Sequence, residues 1–172
     1  ETSKALALDG VVAVYTSLDI PVNQYGLVIK DQPVICGPGS DIAGTDIVRT
    51  YMDYVAVVVA ETAEIATQAL DLIQVDYEDL GSVFDPELAM LEDAPQIHPD
   101  TPKNILAQYR IRRGDVESVW DECAVVVEDT YVTTWQEHAY LQPEAGLSYI
   151  DDEGRVTVVV AGQWNDEDLW QI

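Results

Sequence analysis

The chain has 172 residues, of which 48% are hydrophobic, enough for one ordinary core or for a small domain with part of a second. Eight Lys and Arg stand against 32 Asp and Glu, a formal net charge of −24, and such a surface repels nucleic-acid phosphates and anionic membranes. The apolar content excludes a disordered polyelectrolyte, and no run approaches the ~20 consecutive apolar residues of a membrane span.

A first strand is expected over residues 10–16, a β-rich run that follows Gly10 and is broken before Pro21. Residues 27–29 and 33–36 read as two more strands, and Gly37-Pro38-Gly39-Ser40 as a loop. Residues 47–51 are a short strand candidate. Residues 55–60 make the plainest strand, and their unbroken apolar character predicts burial on both faces. Thr62 suits the N-cap of a helix whose apolar stripe is Ile65, Ala66, Ala69, Leu70, Leu72 and Ile73, with Glu61 and Glu64 near the positive end of its dipole. Residues 73–77 alternate as a half-exposed strand does. Strand, helix and strand in this order predict a β-α-β unit of the α/β or α+β kind.

Asp85-Pro86 opens a short helix, with Pro in its first turn. Residues 93–104 carry Pro95, Pro99 and Pro102 without periodicity and mark the expected domain boundary. Beyond it, residues 105–112 alternate, and 115–120 suit a short helix. Residues 124–128, 130–135, 146–150 and 155–161 read as strands, the last two joined by a turn at Asp151-Asp152-Glu153-Gly154.

Few residues offer chemistry of their own. Cys36 and Cys123 have neither framework spacing nor a Cys-x-x-Cys motif, and read as two ordinary half-buried thiols in a reducing, cytoplasmic setting. His98 and His138 are isolated, and two such histidines do not make a zinc site. His138 reads as a packed structural residue, and Glu144 as structural rather than as an acid or base. No nucleophile elbow or phosphate-binding glycine loop is present. Glu78-Asp79, Asp151-Asp152 and Asp166-Glu167-Asp168 read as turn or surface clusters, because the alternating ligand loop of a calcium site is absent.

An ordered series of segments carries a resemblance. Residues 9–16 (Asp-Gly-Val-Val-Ala-Val-Tyr-Thr) with Asp19-Ile20-Pro21, then residues 55–62 with Ile65-Ala66, then residues 75–80 come first. Asp85-Pro86, Ala94-Pro95, His98, Asn104 and Arg113-Gly114-Asp115-Val116 follow, and then residues 136–145 (Gln-Glu-His-Ala-Tyr-Leu-Gln-Pro-Glu-Ala). In this order they resemble the large molybdopterin-binding subunit of the xanthine dehydrogenase and aldehyde oxidase family. The resemblance departs at Met52-Asp53-Tyr54, where the family has a Gly ahead of the strand, at Gln142-Pro143, where it has Glu-Pro, and at residues 37–45, which read as a local insertion or divergence.

The resemblance implies an α+β hammerhead domain over residues 1–103, incomplete at its N-terminus. It implies the β-rich opening of a molybdopterin-binding domain over residues 104–172, cut short at its C-terminus. The parent reaction it implies is oxidative hydroxylation of an N-heterocycle or aldehyde with oxygen from water. The molybdenum-pterin cofactor belongs to the intact parent, and none is expected on this chain alone. Iron–sulfur clusters and FAD are expected on partner subunits or domains, in a parent that is a dimer of assemblies. Gln163, at the end of a strand, corresponds to a family glutamine beside the metal's oxo ligand, where an amide donates a hydrogen bond without adding charge. The general base is expected beyond Ile172, so no catalytic residue and no metal ligand is assigned within the chain. The alternative is a noncatalytic acidic binding or scaffold module of the same fold.

Overall fold

β-Branched and aromatic residues over Val11–Tyr15 (β1) and Val57–Ala60 (β2) suit a pleated surface, and the two strands pair antiparallel, with Tyr15 opposite Val57 and Ala13 opposite Val59. The register shifts between Val11 and Ala13. This pair belongs to the first of two compact units, Glu1–Gln108 and Tyr109–Ile172, in a computed structural model that describes residues 1–142 and 145–172.

Two helices cover the pair. Thr62 is extended, and its hydroxyl accepts from Ile65 N at 3.3 Å, which starts Ala63–Leu70 (α2) as expected. Ser3–Leu6 (α1) packs against α2 and β1, and Ala5 and Ala69 are both fully buried, their small side chains allowing close approach. Gly10 makes the turn between α1 and β1 at φ +85°, and a Cβ there would lie 2.6 Å from Ile65 Cδ1. Its carbonyl accepts from Glu61 N at 2.9 Å, tying the start of β1 to the end of β2.

Several expected strands do not form. Residues 27–29, 33–36 and 47–51 are bends, turns and irregular chain. Asn23 supplies what a neighbouring strand would have given: its side chain donates to Ile35 O at 2.7 Å and accepts from Ile35 N at 3.0 Å. Asn23, Ile35 and Cys36 are buried beside this contact. The loop from Gly37 to Thr45 closes at its neck, where Gly37 N donates to Thr45 O at 2.9 Å. Burial of residues 55–60 on both faces is also corrected. Val57 and Val59 are 43% and 40% exposed, while Val58 and Ala60, on the opposite face of the strand, are half-buried. Residues 73–77 form no strand, so the expected β-α-β unit is an antiparallel pair with a helix. Gln74 instead holds the N-terminus, its N–H donating to Glu1 O at 3.0 Å and its carbonyl accepting from the Glu1 amino group at 2.7 Å.

Asp85 caps Pro86–Ala89 (α3), its Oδ1 accepting from Glu87 N at 2.8 Å and Leu88 N at 2.9 Å. The proline-rich stretch that follows is pinned by two side chains. Asn104 accepts from Ile97 N at 2.8 Å and donates to Ala89 O and Pro95 O, both at 2.9 Å. The Arg49 guanidinium donates to Ile97 O at 3.0 Å and Gly44 O at 2.8 Å.

In the second unit, the sequence predicts a helix over residues 115–120; the observed turn is the tighter 3₁₀ form over Glu117–Glu122. Residues 124–139 form neither helix nor paired strand, although the β-branched and aromatic content of residues 124–128 and 130–135 is strand-like. The hairpin is as expected. Gly146–Ile150 (β3) pairs antiparallel with Val156–Val160 (β4), Gly146 opposite Val160 and Ile150 opposite Val156. Asp151 organises the turn: its Oδ1 accepts from Glu153 N and Arg155 N, both at 2.9 Å, and its Oδ2 from Arg155 Nε at 2.8 Å. Asn165–Gln171 (α4) closes the unit. No described residue after Ala69 is buried, so the second unit has no core of its own.

Candidate functional site

Three features place Gln163. Strand β4 ends at Val160, and Gly162 N donates back to Val160 O at 3.1 Å, a sharp reversal directly after the strand. Trp164 then starts α4, its carbonyl accepting from Glu167 N at 3.0 Å and Asp168 N at 3.1 Å. Gln163 is therefore held between a strand end and a helix start. Its side chain is exposed and makes no hydrogen bond among the described residues. The turn is narrow. A Cβ on Gly162 would lie 2.5 Å from Asp168 Oδ2, and that oxygen is buried without a hydrogen-bond partner among the described residues.

The other residues singled out by sequence are dispersed. His138 stacks on Tyr140, ring centroids 5.5 Å apart and planes 1° from parallel, with Ala139 between them at φ +55°. His98 lies in the proline-rich stretch of the other unit, where its carbonyl accepts from Thr101 N at 3.1 Å. Glu144 lies outside the described residues. Cys36 is buried in the first unit, and burial, then the Asp53 charge, pushes its thiol pKa up; Cys123 is exposed in the second. Among the described residues no three His, Cys, Asp or Glu side chains converge as a metal site would require. No helix among them is long and apolar enough to cross a membrane.

Such an arrangement offers one exposed neutral amide on a braced turn. It is a hydrogen-bond donor for an oxygen or anion, and not a ligand set. The identity of the surrounding chain comes from comparison. A family model described as the aldehyde oxidase and xanthine dehydrogenase a/b hammerhead domain matches residues 1–81. One described as a molybdopterin cofactor-binding domain matches residues 97–170. The chain belongs to the xanthine dehydrogenase and aldehyde oxidase family.

Members of that family with curated names share much of the sequence. The nicotinate dehydrogenase large molybdopterin subunit of Eubacterium barkeri is 43% identical over 95% of the chain. A probable xanthine dehydrogenase subunit of Bacillus subtilis is 39% identical over 99% of it. The chain spans 36% of the first relative and 22% of the second. Among solved structures, the aldehyde oxidoreductase from Desulfovibrio gigas superposes with a TM-score of 0.71 at 26% identity, over 92% of the chain and 18% of that protein. The mixture of short helices and strands thus matches a family fold.

Asp168 is the residue that sequence reading missed. It stands in the acidic run Asp166-Glu167-Asp168, read as a surface cluster, yet its Oδ2 is buried against Gly162. The available signal was helical spacing: Asp168 lies four residues after Trp164, on the side of α4 that faces back toward the turn.

Proposed function

We propose that the chain is a segment of the large molybdenum-binding subunit of a hydroxylase, with residues 1–103 in a hammerhead domain and 104–172 opening the molybdopterin-binding domain. The observation that carries the reading is Gln163, an exposed amide on a braced turn within the stretch matched by the cofactor-binding model. When bound, the molybdenum-pterin group supplies the redox chemistry, an oxidative hydroxylation of an N-heterocycle or aldehyde with oxygen from water. Gln163 fits that group as a hydrogen-bond donor to an oxo oxygen: its NH₂ carries two donors, adds no charge, and is not consumed by a partner among the described residues.

The second unit supports the same reading. Trp135 and Leu141 are 102% and 99% exposed, and Trp164 and Trp170 are exposed as well. A segment with this much apolar surface and no core suits one that is packed by further protein of the same subunit. Activity then belongs to the complete assembly, with iron–sulfur and FAD modules as electron acceptors and a general base outside these residues. Two free thiols suit a cytoplasmic setting.

The test uses the complete subunit with its electron-transfer partners. Gln163→Ala should leave the molybdenum content unchanged and lower substrate-dependent dye reduction by about 10²-fold, the loss typical of one donor removed from a developing oxyanion. Turnover equal to the parent protein, at equal molybdenum content, would falsify the role of Gln163.

A further inference from the structure

The acidic residues near the C-terminus differ in one respect: Asp168 alone has a buried carboxylate oxygen that receives no hydrogen bond from the described residues. It is the fourth residue of α4, and helical side chains lean toward the N-terminus of their helix. The lean carries the carboxylate over Gly162, so that a Cβ there would lie 2.5 Å from Oδ2 and 3.6 Å from Cγ. Asn165 Oδ1 lies 3.9 Å from the same point. Gly162 is thus the residue on which the first turn of α4 rests, and Gln163 is the next residue along. The hydrogen bond from Gly162 N to Val160 O fixes the other side of the turn.

We propose that Asp168 is a positioning residue for Gln163: its carboxylate, seated on the bare Cα of Gly162, sets the direction in which the turn presents the Gln163 amide. Asp168 itself touches neither substrate nor cofactor. It acts through contact and shape, with the negative charge favourably placed in the first turn of a helix. The inference rests on the reading of Gln163 as a donor to the molybdenum oxo group. A side chain at position 162 would push the carboxylate off the turn and leave the turn free to change direction. Removing both the carboxylate and the glycine, so that a methyl group fills the same space, should return the turn towards its original direction.

The experiment uses the complete, cofactor-loaded protein, and reads the molybdenum(V) electron paramagnetic resonance spectrum together with molybdenum content, kcat and KM. Gln163→Ala, Gly162→Ala, Asp168→Asn and the double variant Gly162→Ala/Asp168→Ala are compared. The expected result is a spectral shift in Gln163→Ala that Gly162→Ala reproduces, with the same fall in kcat, unchanged KM and full molybdenum content. Asp168→Asn, which keeps the shape, and the double variant should both lie nearer the parent spectrum. If Gln163→Ala shifts the spectrum and Gly162→Ala does not, the positioning role is overturned while the Gln163 reading stands. A parent-like spectrum in Gln163→Ala overturns both. Equal loss of molybdenum in Gly162→Ala and in the double variant marks a purely structural contact and also overturns the proposal.

Discussion

Asn104 is the side chain on which the proline-rich stretch depends most. Its three hydrogen bonds bind Ile97 N, Ala89 O and Pro95 O, and its own backbone sits at φ +55°. Replacing it with Ala removes all three bonds, each worth about 1 kcal/mol net in a part-buried setting. It also places a Cβ-bearing residue without a local polar partner in the left-handed region, at a cost of roughly 1 kcal/mol. The expected destabilisation is about 4 kcal/mol, and about 3 kcal/mol for Asn104→Gly, which keeps the backbone freedom. All four tryptophans lie at or beyond residue 120, so their fluorescence does not report on the first unit. Hydrogen exchange at the Ile97 amide does, because that N–H is donated to Asn104 itself. Exchange in Asn104→Ala should accelerate by about 10²-fold or more, since each 1.4 kcal/mol is a factor of ten. An Ile97 amide exchanging at the parent rate in that variant would show that the clamp contributes nothing, and the reasoning would fail.

Three further outcomes are open to measurement. Gly10→Ala should destabilise by about 1–2 kcal/mol through the left-handed backbone, with Ile65 Cδ1 turning aside, as read from the urea midpoint followed by far-ultraviolet circular dichroism. In the β3–β4 turn, the Arg155 N–H bond and then its guanidinium hold the Asp151 carboxyl below the ordinary carboxylate range. A carboxyl depressed on folding contributes stability above its unfolded pKa and loses it as the pH falls through the folded value. The hairpin should therefore weaken in acid and Asp151→Asn should remove that dependence, which carboxyl ¹³C shifts across an acid titration would follow. Alkylation under native conditions should modify exposed Cys123 first and buried Cys36 only on unfolding; two thiols reacting at one rate would contradict the burial of Cys36.

The sequence made some parts of this fold plain and left others hidden, for identifiable reasons. Local signals were sufficient where the element satisfies itself: Thr62 caps α2, Asp85 caps α3, and Asp151 closes a hairpin whose strands are each other's partners. They were insufficient where a short β-branched, apolar run promised a strand and no partner lies alongside. Residues 33–36 are apolar and β-branched in part, yet Asn23 takes the place of a neighbouring strand, and a side chain acting as backbone has no periodic signature. Residues 124–135 are equally rich in β-branched and aromatic side chains and remain unpaired, because pairing is a property of two segments and not of one. At the proposed site, Gln163 was singled out by resemblance alone. Asp168 was masked by its acidic neighbours, since composition cannot tell which carboxylate of a cluster folds back.

The uncovered surface of the second unit bears on how the chain stays in solution. Unpaired apolar segments such as residues 124–135 are templates for intermolecular strand pairing, and Val125, Val127, Tyr131, Val132 and Trp135 all lie open there. With a net charge of −24, copies of the chain repel one another before those segments can meet. That protection has a range set by counterions, about 10 Å at 0.1 M salt and about 3 Å at 1 M. The acidic surface thus acts as a colloidal guard for these uncovered segments, and concentrated salt or a polycation should turn a dispersed chain into an aggregating one.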